Sequence, residues 1–182
     1  MSDKIVDSCT LINLYGSARP LDILGACGGM HVTPQVRKES LGIRADDPEN
    51  PGELLSASID LNAAIEKGLL TTCELSAREF ELMVAYAREL DDGEASSLAI
   101  AQVRGWRLAS DDKKARRIAK EDGIIVISTA ELVHHWSLQA RLSDTEIAAA
   151  LRAIARYARF TPPADDSCAE WWRGHEESDQ IP

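Results

Sequence analysis

Five carboxylates stand where an α/β chain can put them to common use. Asp7 closes the apolar run Lys4-Ile5-Val6, and Asp111 and Asp112 close Trp106-Arg107-Leu108-Ala109. Glu39 follows a third run, Met30-His31-Val32, by Thr33-Pro34 and about a turn and a half of helix. Glu94 falls in the first turn of a helix beginning near Asp92. Short apolar runs closed by polar turns read as buried parallel strands, and open parallel sheets bind ligands beyond the C-terminal ends of their strands. Four segments far apart in sequence thus offer acids to one edge. Carboxylate oxygens suit hard cations such as Mg2+ or Mn2+, and ions that keep part of their water need only a few such ligands.

Each acid also has an ordinary use. Asp7 can cap the next turn, and a lone helical Glu such as Glu39 is usually covered by water. Glu94 suits the positive end of a helix dipole, and Asp111 or Asp112 suits the N-cap of a helix through Ala115, Ile118 and Ala119. The chemical reading therefore rests on their conjunction.

The elements that must position them are well marked. Further apolar runs, Leu69 to Cys73 and Ile124 to Ile127, bring the strands to about five. Ser76-Ala-Arg-Glu79, Ser128-Thr-Ala-Glu131 and Ser143-Asp-Thr-Glu146 have the form of capping boxes, and Thr33-Pro34 sets a capping hydroxyl before a first-turn proline. Phe80, Met83, Val84 and Ala87 share one helical face, as do Ile147, Ala150, Leu151, Ile154 and Ala158; both stripes read as core. The stretch from Ile43 to Asn62 is irregular, with turn signals over Asp46 to Gly52. The fold expected is a three-layer α/β sandwich with a central parallel sheet flanked by helices, over residues 1–160. Residues 161–182 read as an acidic C-terminal tail, with Asp165, Asp166, Glu170, Glu176, Glu177 and Asp179 against Arg173. Trp171 and Trp172 are too apolar for a solvated tail and are expected to pack on the domain or on a partner.

The 182 residues suit one domain with a modest extension, and a net charge of -10 argues against a protein that coats nucleic acid through its backbone phosphates. It leaves open an enzyme that meets phosphate through metal. Cys9, Cys27, Cys73 and Cys168 form no CxxC or zinc spacing, no run is long enough to span a membrane, and no signal peptide is read, so the cytoplasm is expected. Gly25-Ala-Cys-Gly28-Gly29 lacks the ending of a P-loop, and no G-x-S-x-G elbow supports acyl transfer. His134-His135 reads as a helix-surface pair. A phosphotransfer receiver would need its acidic pair at the first strand, not at Asp111-Asp112.

Ile5-Val6-Asp7-Ser8-Cys9-Thr10-Leu11 resembles the opening of a PIN domain, and His31 to Glu39 resembles its second acidic motif. The more specific likeness is Asp92-Gly93-Glu94-Ala95 followed by Ser110-Asp111-Asp112-Lys113-Lys114-Ala115-Arg116, which is similar to one prokaryotic PIN subgroup of the toxin–antitoxin, VapC-like type. The likeness covers roughly Ile5 to Ser137. It implies Asp7, Glu39 and Glu94 as metal-binding acids, with Asp112 as the fourth where the family has Thr-x-Asp, and Asp111 as a sharer of that role or only a cap. It further implies Mg2+- or Mn2+-dependent cleavage of RNA, and as partners a small antitoxin protein and a second copy of the chain. Arg37, Lys38, Lys113 and Lys114 are candidate phosphate holders at the rim. The rival reading is a non-catalytic PIN-like module that docks a protein or RNA.

Overall fold

The computed structural model describes residues 3–39 and 41–177. In chain order the elements are β1 (Lys4–Val6), α1 (Ser8–Gly16), α2 (Pro20–Cys27), β2 (Met30–Val32), α3 (Pro34–Lys38), β3 (Gly42–Asp46), β4 (Leu54–Ser58) and α4 (Asn62–Glu66). There follow β5 (Thr71–Thr72), α5 (Ala77–Tyr86), α6 (Asp92–Arg104), β6 (Arg107–Ala109), α7 (Lys113–Glu121), β7 (Val126–Ile127), α8 (Thr129–Ala140) and α9 (Asp144–Ala153). A π-helical turn, Ile154–Ala158, extends α9, and α10 (Ala169–Glu177) ends the described chain.

Among the described residues, five strands form a parallel sheet in the order β5-β2-β1-β6-β7. The chain starts in the middle strand, steps outward to β2 and β5, then returns to β6 on the other side of β1. Such a reversal of strand order opens a crevice at the C-terminal ends of the two strands that flank it, here β1 and β6. The residues that follow those two strands are Asp7 and Ser110-Asp111-Asp112.

Strand residues alternate between two cores, as the period of two requires. Ile5 and Leu108 face a core built with Met83, Leu90, Leu98, Ala115 and Ile118, under α5, α6 and α7. Val6, Ala109 and Ile127 face the other, built with Leu11, Leu14, Ile23, Trp136, Leu151 and Trp172. The three expected capping boxes form, and Thr33 caps α3 by accepting from the Val36 amide.

Three expectations need correction. Phe80 and Val84 are each 55% exposed and Ala87 is exposed too, so α5 buries Met83 and packs by a narrower stripe than its spacing suggested. The irregular stretch contains an antiparallel hairpin, β3 with β4, pairing Gly42 with Ser58 through Asp46 with Leu54. Asp46 ties the hairpin to the π-helical turn by accepting from Arg156 (2.6 Å) and the Tyr157 hydroxyl (2.6 Å). Thirdly, the segment read as a tail from 161 does not leave the domain, in keeping with the expected packing of Trp171 and Trp172. It winds into α10, and Cys168, Ala169 and the fully buried Trp172 join the core. Phe160 meets Trp172 edge-on at 5.7 Å, and His134, expected at a helix surface, tilts against Trp171 at 4.5 Å. Asp179 lies outside the described residues.

Candidate active site

Asp7 leaves β1 and caps α1, its Oδ1 accepting from the Thr10 amide at 2.9 Å. The capping role and the buried position arise together, because α1 must start at the sheet edge to cover it. Only 1% of Asp7 is exposed. Burial pushes its carboxyl up to about 6, against hydrogen bonds from Ser110, Thr10 and Cys9 that favour the charge, while Asp111 nearby raises it further.

Glu94 sits one turn into α6, whose N-cap Asp91 accepts from the Glu94 amide at 2.8 Å. Burial lifts Glu94 to about 7, and the charges of Asp91, Asp112 and Asp7 add to the rise. Glu39 is not inside a helix. It follows the five-residue α3 in extended conformation, so its side chain leaves the helix end and is held by the Ser8 hydroxyl. Burial, and then Asp91 and Asp92, raise Glu39 as well. Its carboxylate crosses Gly93 so closely that a Cβ there would stand 1.9 Å from Glu39 Oε1. The glycine of the Asp-Gly-Glu start thus makes room for one site acid beside another.

Asp111 and Asp112 divide. Asp111 is held by the Asn13 amide (3.0 Å), the Thr129 amide (3.1 Å) and the Thr129 hydroxyl, and burial raises its carboxyl. Asp112 caps α7, with Oδ1 accepting from the Lys114 and Ala115 amides at 2.8 Å each. Electrostatically, Asp111 acts on Asp7 and Asp112 acts on Glu94. Glu39, Ser8, Gly93, Glu94, Asp7 and the Asp111-Asp112 pair thus form a continuous line of contacts and charge couplings along the C-terminal edge of the sheet.

A family model described as a PIN domain matches residues 3–163. The chain belongs to the PIN-domain family. No curated protein and no solved structure matches it. PIN domains are of nuclease type and typically bind divalent metal, and the parallel sheet flanked by helices is the fold expected of one.

The donors of this PIN domain suit such an ion in kind. They are oxygens, and Asp7, Glu39, Glu94 and Asp111 are all raised by burial, so an added cation would favour their charged forms. Among the described residues no three His, Cys, Asp or Glu side chains are grouped so as to hold a metal ion. The acids are instead linked by charge, Asp7 with Asp111 and Glu94 with Asp7 and Asp112.

Sequence reasoning passed over the residues that hold the acids in place: Ser8 on Glu39, Asn13 and Thr129 on Asp111, and Cys9, whose thiol donates to Asp7 Oδ1 at 3.1 Å. Ser110, noted only as standing in for Thr, bonds Asp7 and accepts from the Asp112 amide at 3.2 Å. No periodicity marks such partners, since each lies far along the chain or points across a turn. Of the basic rim, Lys113 lines the cleft beside the acids, whereas Arg37 donates to the Thr72 hydroxyl and Lys114 to the Glu89 carbonyl. Among the described residues no helix is long and apolar enough to cross a membrane.

Proposed function

We propose that this PIN domain is a metal-dependent endoribonuclease that hydrolyses RNA phosphodiester bonds, with Mg2+ or Mn2+ held by Asp7, Glu39, Glu94 and Asp112, and with Asp111 sharing that role or serving only to tie the start of α8 through Thr129. The observation that carries the reading is the charge coupling, beyond the ends of β1 and β6, of Asp7 with Asp111 and of Glu94 with Asp7 and Asp112, Asp7 and Glu94 being weakened as acids by burial and by these neighbours. A bound divalent ion would activate water and stabilise charge on the scissile phosphate. The chain's own part is to supply the oxygens, to fix Asp7 through Thr10, Cys9 and Ser110, and to hold Glu39 through Ser8. The setting that accompanies the reading is the cytoplasmic toxin of a toxin–antitoxin pair, with a small antitoxin protein and a second copy of the chain as partners. Co-expression with the product of a small neighbouring gene, followed by co-purification and loss of toxicity, tests that setting.

The decisive assay uses the purified full chain, structured and single-stranded RNAs, and Mg2+ or Mn2+ with a chelator control. Cleavage is expected with metal and is expected to vanish with chelator and in Asp7→Asn. Cleavage that persists in chelator, or survives Asp7→Asn, rejects the mechanism. No cleavage of any RNA, together with no heat of metal binding, turns the reading toward a non-catalytic docking module.

A further inference from the structure

The cleft at the acids continues past them. Its volume is about 1280 Å3, and its lining joins Glu94, Asp111 and Asp112 to residues of α7 and to Arg159 and Phe160 from a different segment. In a chain of net charge -10, α7 packs five basic residues into its nine, Lys-Lys-Ala-Arg-Arg-Ile-Ala-Lys-Glu. Their uses differ. Lys114 turns to the Glu89 carbonyl, and Arg117, at the lip, pairs with Glu89 and Glu121 at 2.9 Å each. Lys113, Arg116 and Lys120 line the cleft itself. Their spacing of three and four residues puts them on one face of the helix, over a rise of about 10 Å. Arg116 is steadied by donating to the Ser110 carbonyl at 3.3 Å, one residue before the Asp111-Asp112 pair.

The segment of Arg159 carries a backbone irregularity. The π-helical turn Ile154–Ala158 is followed directly by Arg159 at φ 59, the left-handed region that favours glycine. Ala18 and Arg141 share that sign of φ, but Arg159 is the one of the three that lines the cleft. The turn is held on both sides, by Arg156 and Tyr157 on Asp46 and by Phe160 on Trp172. A long cation thus occupies a position where glycine would cost least, and the surrounding packing keeps it there. Ile124, Val126 and Phe160 add apolar surface to the same lining. The exposed acid Asp165 lines it too.

We infer that this cleft is a track for one unpaired RNA strand, with Lys113, Arg116 and Lys120 from α7 and Arg159 from the other segment taking successive phosphates and leading the strand to Asp112. The inference rests on the ribonuclease reading and adds the path of the substrate. Cations from two segments beside apolar side chains in one cleft match the way single strands are held, by cations on the backbone and apolar or aromatic surface against the bases. A duplex turns its bases inward and gives such apolar surface nothing to meet. The track also gives the docked C-terminal segment a task, since α10 supports Phe160 and with it Arg159.

The test measures binding apart from cutting. The full chain carrying Asp7→Asn is titrated in Mg2+ against a fluorescein-labelled unpaired RNA 12-mer, by anisotropy over a series of salt concentrations. Lys120→Glu and Arg159→Gly are compared with Arg78→Glu, an exposed residue of α5 away from the cleft. Arg159→Gly suits the left-handed backbone, so it removes the cation without straining the turn, and melting curves verify that each variant is folded. We expect Lys120→Glu and Arg159→Gly each to weaken binding about tenfold or more and to lower the salt slope by about 0.7 for each phosphate no longer neutralised. Arg78→Glu should change neither, Asp165→Asn should tighten binding, and a duplex of the same sequence should bind more weakly. Equal binding by the cleft variants and the parent, equal weakening by Arg78→Glu, equal affinity for the duplex, or no RNA binding would overturn the track. Cleavage by the unmutated chain is scored separately. RNA held in this way but never cut leaves the track standing and removes the ribonuclease reading; cutting indifferent to the cleft variants does the reverse.

Discussion

Asp7 and Glu79 are both shielded from direct contact with water, 1% and 2% exposed, but Asp7 lies deep at the sheet edge and Glu79 lies near the surface under the part-exposed Arg104, and their acidities move in opposite directions. Glu79 accepts from Arg104 Nε at 2.6 Å and Nη2 at 3.0 Å and closes a capping box with Ser76. Those bonds outweigh desolvation and hold it down at about 2. Asp7 has donors too, from Thr10, Cys9 and Ser110, but its charged neighbour Asp111 is an acid, and desolvation wins, at about 6. Low surface exposure alone therefore says little about what a carboxylate is for. An acid matched to a guanidinium closes the α5–α6 layer, whereas one set beside further acids suits the incoming cation that the proposed function calls for.

Four experiments sharpen or break this contrast. The largest effect expected is on catalysis: Asp7→Asn should lower RNA cleavage on the order of a thousandfold, since several kcal/mol of charge stabilisation go with a metal ligand. Glu79→Gln, compared per folded molecule in the same assay, should stay within about twofold of the parent. Equal losses would erase the distinction. Next comes stability. Glu79→Gln should cost about 3 kcal/mol in urea unfolding, the low end for a broken buried pair because Arg104 keeps 28% exposure.

The pH dependence should differ in sign. Asp7 and Glu94 are raised from 3.8 to about 6 and from 4.5 to about 7, so the stability they contribute is present below their unfolded values and is lost as pH rises through the folded ones. Glu79 is depressed, so its contribution is present above 4.5 and is lost as pH falls toward about 2. Melting in chelator should therefore show a decline between about pH 4 and pH 7 that Asp7→Asn flattens, and an acid-side loss that Glu79→Gln removes. Mn2+ should raise the melting temperature more at the upper end of that range than at the lower. A profile unchanged by either substitution contradicts both assignments. The smallest effect tests the glycine between the acids. Gly93→Ala forces the end of the Glu39 side chain aside, since the added Cβ would stand 1.9 Å from Oε1. Cleavage should fall about tenfold with little change in melting, in keeping with disturbed metal-ligand placement; full activity would take Glu39 out of the site.

What the sequence determined by itself was whatever a few neighbouring residues decide together. The five apolar runs became the sheet, the three Ser-x-x-Glu segments became capping boxes, and Asp7 and Asp112 became caps, because strand period, helix turn and end-capping all act within about four residues. Acids at strand ends were legible as a group for the same reason. Tertiary structure alone decided matters that join distant segments. The β3–β4 hairpin has little buried apolar surface and so no alternating signature, and Asp46 ties it to Arg156 and Tyr157, more than a hundred residues away. Trp171 and Trp172 marked residues 161–182 as more than a solvated tail, but whether they would meet the domain or a partner was settled only by the fold, in which Trp172 is fully buried in the core. Phe80 and Val84 repeat at a helical period, but whether a stripe is buried depends on what packs over it. The division of Asp111 from Asp112 belongs here too. They are adjacent and chemically identical, and only the approach of Asn13 and Thr129 to one, and the start of α7 at the other, sets their different tasks.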